Sequence, residues 1–164
     1  NIHERYLIRQ MPAIALYQPD IPGNAGACIR LCACLGWPLH IIEPCGFVWD
    51  ERRMQRAVMD YYQLISVHRH TDWAAFQQAV NGRLCLLTTQ AQTSYTDFAY
   101  HTGDILLAGR ESSGVPDNVH GRADQRLTIP MPGGGRSLNV VNALAMVAGE
   151  VMRQTGQFTM DSHQ

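Results

Sequence analysis

Ser137, Asn139 and Asn142 are the polar residues of this sequence whose spacing best suits the binding of a ligand. They follow three consecutive glycines at residues 133–135, which adopt positive φ without steric cost and let a ligand approach bare backbone. Apolar residues recur at helical spacing from Leu138 onward, so we predict a helix here with Ser137 as its N-cap. A helix cap beside a solvated loop would explain this pattern, and so would a ligand-binding loop against the start of a helix.

A second candidate for binding is the turn at residues 18–26, where two prolines and two glycines exclude regular structure. It follows a short apolar run, residues 13–17, which we predict to be a buried strand, and a helix is predicted over residues 25–35. This order of strand, turn and helix is typical of an anion-binding βα unit. The turn lacks the G-x-G-x-x-G spacing, which makes a dinucleotide site the weaker interpretation.

The elements that would position these residues alternate between strands and helices along the chain. Further strands are predicted at residues 39–42, 64–67, 83–89, 104–108 and 127–129, and further helices after Asp50 and from Thr71 or Asp72 through Val80. This alternation predicts an α/β fold with a mostly parallel sheet and flanking helices. Loops rich in Gly, Ser, Thr and Pro follow Leu87, Ala108 and Ile129. Because ligands bind beyond the carboxyl ends of parallel strands, we expect these three loops to form one pocket.

The charge pattern limits how the chain could hold nucleic acid. All 13 basic residues are arginines and the net charge is -1, so there is no global basic field. RNA binding would depend on local clusters such as Arg52, Arg53 and Arg56, which lie on the helix that Asp50 is expected to cap. A solvated helix face would explain this cluster, and a face that contacts phosphates is the alternative.

The cysteines and histidines do not indicate a metal site. Cys28, Cys32 and Cys34 lie close together in the predicted first helix, without the paired C-x-x-C spacing of zinc sites. We therefore expect buried free thiols in a reducing cytoplasm, and no metal. His68 and His70 would share one face of a strand, but no further ligand is near them, so we predict that they are surface residues.

The length of 164 residues predicts one domain. We expect residues 1–10 to be a non-native or disordered leader, residues 11–158 to be the single domain, and residues 159–164 to be a polar tail. No run approaches the roughly 18 apolar residues of a membrane span. The first residues also lack the apolar core of a signal peptide, so a cytoplasmic location without membrane contact is expected.

Three blocks of the sequence together resemble a known family of enzymes. They are residues 22–30, residues 109–116, and residues 129–131 with Ser137 and Asn139. In this order and spacing they resemble the SPOUT class of S-adenosylmethionine-dependent RNA methyltransferases. Residues 16–22 and 39–50 make the chain most similar to the small members that methylate the ribose 2'-oxygen of the wobble nucleotide of tRNA. The resemblance extends over residues 12–158.

The resemblance implies a fold, a cofactor and partners. The family's sheet has its C-terminal part tied into a deep trefoil knot, and the family forms homodimers whose cofactor pockets are completed near the subunit interface. The cofactor would be S-adenosylmethionine, the product S-adenosylhomocysteine, and the substrate a tRNA. The implied cofactor-binding residues are Leu87, Thr88, Gly109, Arg110, Glu111, Gly114, Ile129, Met131, Ser137, Leu138 and Asn139. RNA contacts are expected from Arg52, Arg53, Arg56 and Arg136.

The resemblance also implies the catalytic residues Arg30, Asn24, Glu111 and Asn139. In the related family the residue at Arg30 is proposed as the base, but a guanidinium stays protonated at neutral pH. A desolvated Arg30 could instead stabilise the developing alkoxide, while another group or water takes the proton. Asn24, Glu111 and Asn139 would orient Arg30 and the substrate.

Some positions depart from the family pattern and leave the RNA partner open. Ala25 and Ala27 stand where the family usually has a hydroxyl or amide residue, and Arg110 replaces a common proline. One alternative is therefore a ribose 2'-O-methyltransferase for ribosomal RNA or another tRNA site. An alternative of another class is a catalytically silent, knotted RNA-binding dimer, against which the intact set of Arg30, Glu111 and Asn139 argues.

Overall fold

The computed structural model describes residues 10–158. The predicted polar tail and all of the predicted leader except Gln10 lie outside the described residues. The strands are β1 (Ala13–Tyr17), β2 (Leu39–Ile42), β3 (Val67–His70), β4 (Leu84–Leu87), β5 (Thr93–Ser94), β6 (Ile105–Ala108) and β7 (Gln125–Thr128). The helices are α1 (Pro22–Leu35), α2 (Glu51–Val58), α3 (Trp73–Ala79), α4 (Asp117–Arg122) and α5 (Val140–Thr155), with a 3-10 helix at Met59–Leu64.

The seven strands form one sheet in the order β3-β2-β1-β6-β4-β7-β5, and all of its paired strands run parallel. Ala108 pairs with Leu16 on one side and with Leu87 on the other, and Leu87 pairs in turn with Leu127. The carboxyl ends of four neighbouring strands therefore lie level with one another. This edge of the sheet is where the predicted pocket should lie.

Both faces of the sheet are covered by helices, as a buried parallel sheet requires. On one face Ile14 packs in a core that includes Ile29 of α1 and Leu144 of α5. On the other face Ala15 packs in a core that includes Phe76 of α3. Successive β1 side chains alternate between the two cores, as strand geometry dictates. The α/β fold with a parallel sheet and flanking helices is confirmed, whereas the trefoil knot stays a prediction from the family.

Several predicted boundaries are wrong. The strand expected at residues 64–67 is displaced, because Leu64 ends the 3-10 helix and β3 begins only at Val67. Helix α1 starts at Pro22 instead of residue 25, since proline is well tolerated in the first helical turn. Strand β7 ends at Thr128, one residue before Ile129. The short elements β5 and α4 were not predicted from the sequence.

The histidines and cysteines differ in part from expectation. His70 is only half-exposed, and its Nε2 lies 2.9 Å from Nδ1 of His40; it belongs to a packed cluster, whereas His68 is exposed as predicted. Cys28 and Cys32 are buried free thiols, as expected, but Cys34 is exposed. Burial raises the pKa of the Cys28 thiol to about 12, which makes it an inert core residue.

Candidate active site

A cavity of about 500 Å³ lies at the carboxyl edge of the sheet, where the loops after β4, β6 and β7 meet the start of α5. Its walls contain every residue predicted to bind the cofactor: Leu87, Thr88, Gly109, Arg110, Glu111, Gly114, Ile129, Met131, Ser137, Leu138 and Asn139. Asn24, from the first turn of α1, also lines it. The three loops that the sequence predicts to form one pocket do so.

A chain of hydrogen bonds runs along the polar wall of the cavity. Asn139 Nδ2 donates to Asn24 Oδ1 at 3.2 Å, and Asn24 Nδ2 donates to Glu111 Oε1 at 3.3 Å. Glu111 Oε2 accepts the backbone N–H of Asp20 at 2.7 Å. The chain joins the start of α5, the start of α1 and the loop after β6, and so fixes the orientation of three of the four predicted catalytic side chains.

Asp20 extends this network and was not identified from the sequence. Its Oδ2 accepts the backbone N–H of Ser112 at 3.1 Å and the Ser112 hydroxyl at 2.5 Å. These hydrogen bonds from Ser112 lower the pKa of the Asp20 carboxyl, which is therefore held ionised. The proline-rich turn at residues 18–26 was the sequence feature that could have pointed to Asp20, but it indicated only a rigid turn.

Two glycines shape the loop after β6. Arg110 N donates to Gly114 O at 3.0 Å and Gly114 N donates to Arg110 O at 2.8 Å, which closes a tight turn. Gly114 has φ of 65°, a left-handed conformation that favours glycine. A Cβ at Gly109 would lie 2.7 Å from the carbonyl carbon of Gly114. The backbone at Gly109 and the backbone at Gly114 therefore lie so close together that a side chain at residue 109 would not fit.

Asn139 is the N-cap of α5, so the predicted N-cap Ser137 is wrong. Asn139 Oδ1 accepts the backbone N–H groups of Val141 at 2.9 Å and Asn142 at 3.3 Å. Ser137 is exposed in the loop that precedes the helix and lines the cavity. Asn139 therefore caps α5 through its oxygen and contributes to the cavity wall through its nitrogen.

Arg30 lies outside this group of residues. It is exposed, and its guanidinium carbon lies 4.8 Å from the centre of the Tyr61 ring, in cation–π contact. It is six residues beyond Asn24 on α1, which corresponds to a rise of about 9 Å along the helix. The expectation of a desolvated Arg30 is wrong for the single described chain, and its catalytic role stays a prediction.

The arginines predicted to contact RNA lie on the surface. Arg52, Arg53 and Arg56 are exposed on α2, and Arg136 is exposed in the loop before α5. Asp50 caps α2 as predicted, because its Oδ1 accepts the backbone N–H of Arg53 at 3.1 Å. These positions leave the guanidinium groups accessible to a phosphate backbone, and RNA binding by them stays a prediction.

The cavity has the features that S-adenosylmethionine requires. Leu87, Ile129, Met131 and Leu138 supply apolar walls for an adenine ring, and the loop built on Gly109 brings bare backbone to the cavity. Its volume of about 500 Å³ lies within the roughly 300–1,000 Å³ of small-molecule sites. A side chain at Gly109 would disrupt this cradle. The residues present therefore fit the cofactor.

Comparison with known proteins assigns the class of this fold and site. A profile of the SpoU rRNA methylase family matches residues 11–149. The chain therefore belongs to the SpoU rRNA methylase family. The tRNA (cytidine(34)-2'-O)-methyltransferase of Beijerinckia indica is 52% identical over 146 residues, which cover 87% of this chain and 91% of that protein. The Escherichia coli protein of the same name is 44% identical and covers 87% of this chain and 93% of its own length.

Solved structures agree with this membership. A structure described as "Structural insights into the 2-OH methylation of C/U34 on tRNA" matches with a TM-score of 0.84 and 39% identity, over 91% of this chain and 99% of its own. The SpoU methyltransferase AviRb from Streptomyces viridochromogenes, solved in complex with AdoMet, matches with a TM-score of 0.78 over 96% of this chain and 65% of its own. At 22% identity the AviRb likeness shows the fold alone.

Proposed function

We propose that this chain is an S-adenosylmethionine-dependent methyltransferase that acts on the ribose 2'-hydroxyl of the wobble nucleotide, position 34, of tRNA, as its relatives' names say of them. The observation that carries the proposal is the hydrogen-bonded wall of Asn24, Glu111 and Asn139 in a cavity that fits the cofactor. Identities of 44–52% over 87% of the chain support this particular substrate over other RNA sites.

The bound cofactor would supply a methyl group on a sulfonium, and the residues of the chain position its acceptor. Asn24 and Asn139 carry amide groups that can hold the ribose, and the bonds of both to their neighbours keep them from rotating. A fixed acceptor in line with the breaking bond accounts for much of the rate enhancement of such a transfer. Arg30 would stabilise the alkoxide that develops as the hydroxyl proton passes to water.

Arg30 can play this role if a second subunit brings it to the cavity. The position of Arg30 over Tyr61, outside the cavity of its own chain, favours a homodimer in which each active site is shared. The tRNA would then lie across both subunits, with Arg52, Arg53, Arg56 and Arg136 on its phosphates. A bacterial tRNA-modifying enzyme of this kind would work in the cytoplasm, where we place the protein.

A methylation assay with a matched RNA pair tests the proposal. The substrate is an anticodon stem-loop with cytidine at position 34, and its control has 2'-deoxycytidine there. We expect labelled methyl transfer from S-adenosylmethionine to the first RNA and none to the second. Calorimetry should also show binding of S-adenosylhomocysteine.

Three results would contradict the proposal. Transfer to both stem-loops would place the methyl elsewhere on the anticodon arm. Transfer only to ribosomal RNA would favour the broader family activity. A protein that binds RNA but not S-adenosylhomocysteine would be the silent scaffold considered from the sequence.

A further inference from the structure

A second pocket, of about 350 Å³, lies at the carboxyl ends of β2 and β3, and its walls include Pro44, Phe47, Trp49 and the ion pair Glu43–Arg69. We propose that this pocket, which we name the aromatic pocket, binds one unpaired nucleobase of the RNA adjacent to the methylated nucleotide. The inference rests on the proposed function, because it assumes that the ligand of the first cavity is an RNA.

The aromatic surfaces of the pocket suit the stacking of a base. The rings of Phe47 and Trp49 lie near parallel, with centroids 6.2 Å apart and an angle of 25° between their planes. The guanidinium carbon of Arg69 lies 5.2 Å from the centre of the Trp49 ring. Both aromatic residues are only half-buried, so part of each ring is open to a ligand. Unpaired bases are bound by stacking on such aromatic and guanidinium planes.

The ion pair gives the pocket a polar end. Arg69 Nε donates to Glu43 Oε1 at 2.9 Å, and Arg69 Nη2 donates to the same oxygen. Because this pair uses only Oε1, Glu43 Oε2 can accept a hydrogen bond from an exocyclic amino group, as carboxylates accept from cytosine N4. An acceptor beside stacked rings matches a nucleobase better than it matches a purely apolar ligand.

The aromatic pocket adjoins the candidate active site. Gly46, between Cys45 and Phe47, donates its N–H to Pro19 O at 2.9 Å, and a Cβ at Gly46 would lie 2.7 Å from Asp20 Oδ1. Asp20 in turn donates its backbone N–H to Glu111. The turn at Pro19 and Asp20 therefore joins the loop that carries Phe47 to Glu111, a wall residue of the first cavity. An RNA whose ribose is held by Asn24 and Asn139 can place a neighbouring base in the aromatic pocket.

The charges around the pocket fit the backbone of the same RNA. Helix α2 begins at Glu51, two residues beyond Trp49, and carries the exposed Arg52, Arg53 and Arg56. Arginines that follow Trp49 so closely in the chain can pair with the phosphates that flank a bound base. The aromatic pocket and α2 thus form one continuous surface for single-stranded RNA.

The test uses the full-length protein and anticodon stem-loops that carry 2-aminopurine at one unpaired position at a time. Stacking of 2-aminopurine changes its fluorescence, so we expect a large change at one position on binding to the wild type. Trp49→Ala should abolish that change and weaken stem-loop binding about tenfold, the typical effect of removing one stacking partner. Trp49→Phe, which keeps a ring, should show an intermediate loss.

Val48→Ala is the matched control, because Val48 lies in the same loop and is 91% exposed but is not part of the pocket wall. It should bind the stem-loop like the wild type. S-adenosylhomocysteine affinity should be unchanged in all three variants, which shows that the first cavity is intact. If Trp49→Ala is unfolded by circular dichroism, Trp49→Phe and the 2-aminopurine scan still decide the question.

Different results would overturn the inference and the proposed function. If the wild type methylates the stem-loop while Trp49→Ala binds it with unchanged affinity, the aromatic pocket does not hold a base and the proposed function stands. If Trp49→Ala converts a dimer to a monomer in light scattering, the pocket is a protein interface. If the wild type neither binds S-adenosylhomocysteine nor methylates RNA, both fail.

Discussion

At the scale of single residues, Asn139 has two separable functions. Its side-chain oxygen caps α5, while its nitrogen holds Asn24 in the cavity wall. The sequence predicts a cap in this region because Ser137, a good capping residue, precedes the apolar residues at helical spacing. The prediction of Ser137 was wrong, because the position of the cap depends on where the chain leaves the glycine-rich loop.

Replacing Asn139 separates these functions. Asn139→Ala should lose both and destabilise the protein by about 1 kcal/mol, the usual cost of a lost N-cap. Asn139→Ser keeps a capping oxygen but cannot reach Asn24, so its stability should stay near wild type while methyl transfer falls in both variants. Urea unfolding and the stem-loop assay measure the two effects. Equal destabilisation by Asn139→Ser and Asn139→Ala would show that the lost cap does not explain the lower stability.

The histidine cluster makes folding depend on pH. Burial, with the charges of His68 and His70, lowers the pKa of His40 to about 4, whereas an unfolded histidine titrates near 6.5. Between these values the unfolded chain binds more protons than the folded chain, so stability falls as the pH decreases through this window. At pH 7, above both pKa values, the burial of His40 therefore does not reduce the stability of the fold.

We therefore expect the urea midpoint to fall between pH 7 and about pH 4.5, and His40→Gln to reduce this fall. His101→Gln is the matched control, because His101 is exposed and should leave the pH dependence as it is. A His40→Gln curve that runs parallel to the wild-type curve would show that His40 does not titrate on unfolding.

At the scale of elements, the sequence predicts well where an apolar run is bounded by turn residues. Strands β1 and β2 have the predicted bounds for this reason. Strand β3 was misplaced because it is an edge strand of sequence Val-His-Arg-His, which has no apolar alternation, whereas the preceding apolar run belongs partly to a 3-10 helix. Elements as short as β5 and α4 leave no periodicity to detect.

The place of the cavity was predicted more completely than the bounds of the elements, whereas the roles of its residues stay predictions from the family resemblance. All eleven cofactor-binding candidates line one cavity, since parallel strands bring the loops at their carboxyl ends together. Asp20 was missed because its role arises from a hydrogen bond to Ser112, 92 residues away. Long-range pairing of this kind has no signal in a single sequence.

The loop after β6 gives a prediction at this scale. Gly109→Ala would place a Cβ 2.7 Å from the backbone of Gly114, so the loop must shift, at a cost of about 1–3 kcal/mol. We expect lower stability in urea and loss of S-adenosylhomocysteine binding in calorimetry.

Gly133→Ala is the control, because a Cβ there meets nothing within 4 Å in the described part of the chain. It should change stability by less than about 0.5 kcal/mol. Tight cofactor binding by Gly109→Ala would mean that the close approach of these loops is not needed for the cavity.

At the scale of the whole molecule, Arg30 differs from the other three predicted catalytic residues, because its own chain does not bring it to the cavity. If a second subunit supplies it, each active site contains residues of both chains. Mixed dimers of Arg30→Ala with Gly109→Ala test this arrangement. In such a dimer one site combines an intact cavity with an intact Arg30, so activity should exceed that of either variant alone.

Mixed dimers form only if the subunits exchange. To verify the exchange, each variant carries a different tag, and dimers that hold both tags are purified on one tag and then on the other. If the mixed dimer is as inactive as its parents, Arg30 acts within its own chain. In that case its side chain must leave Tyr61 and reach back along α1 when RNA binds.

The two outer strands of the sheet restrict how copies of the chain can associate. Strand β5 has only two residues, too few to template another strand, and β3 presents Arg69, whose charge is already engaged by Glu43. Edge strands that are very short or carry charged side chains discourage the addition of a strand from another chain. An intermolecular β-ribbon is therefore disfavoured, and we expect two copies that pair to use helices and loops, which leaves the sheet of each copy a closed unit.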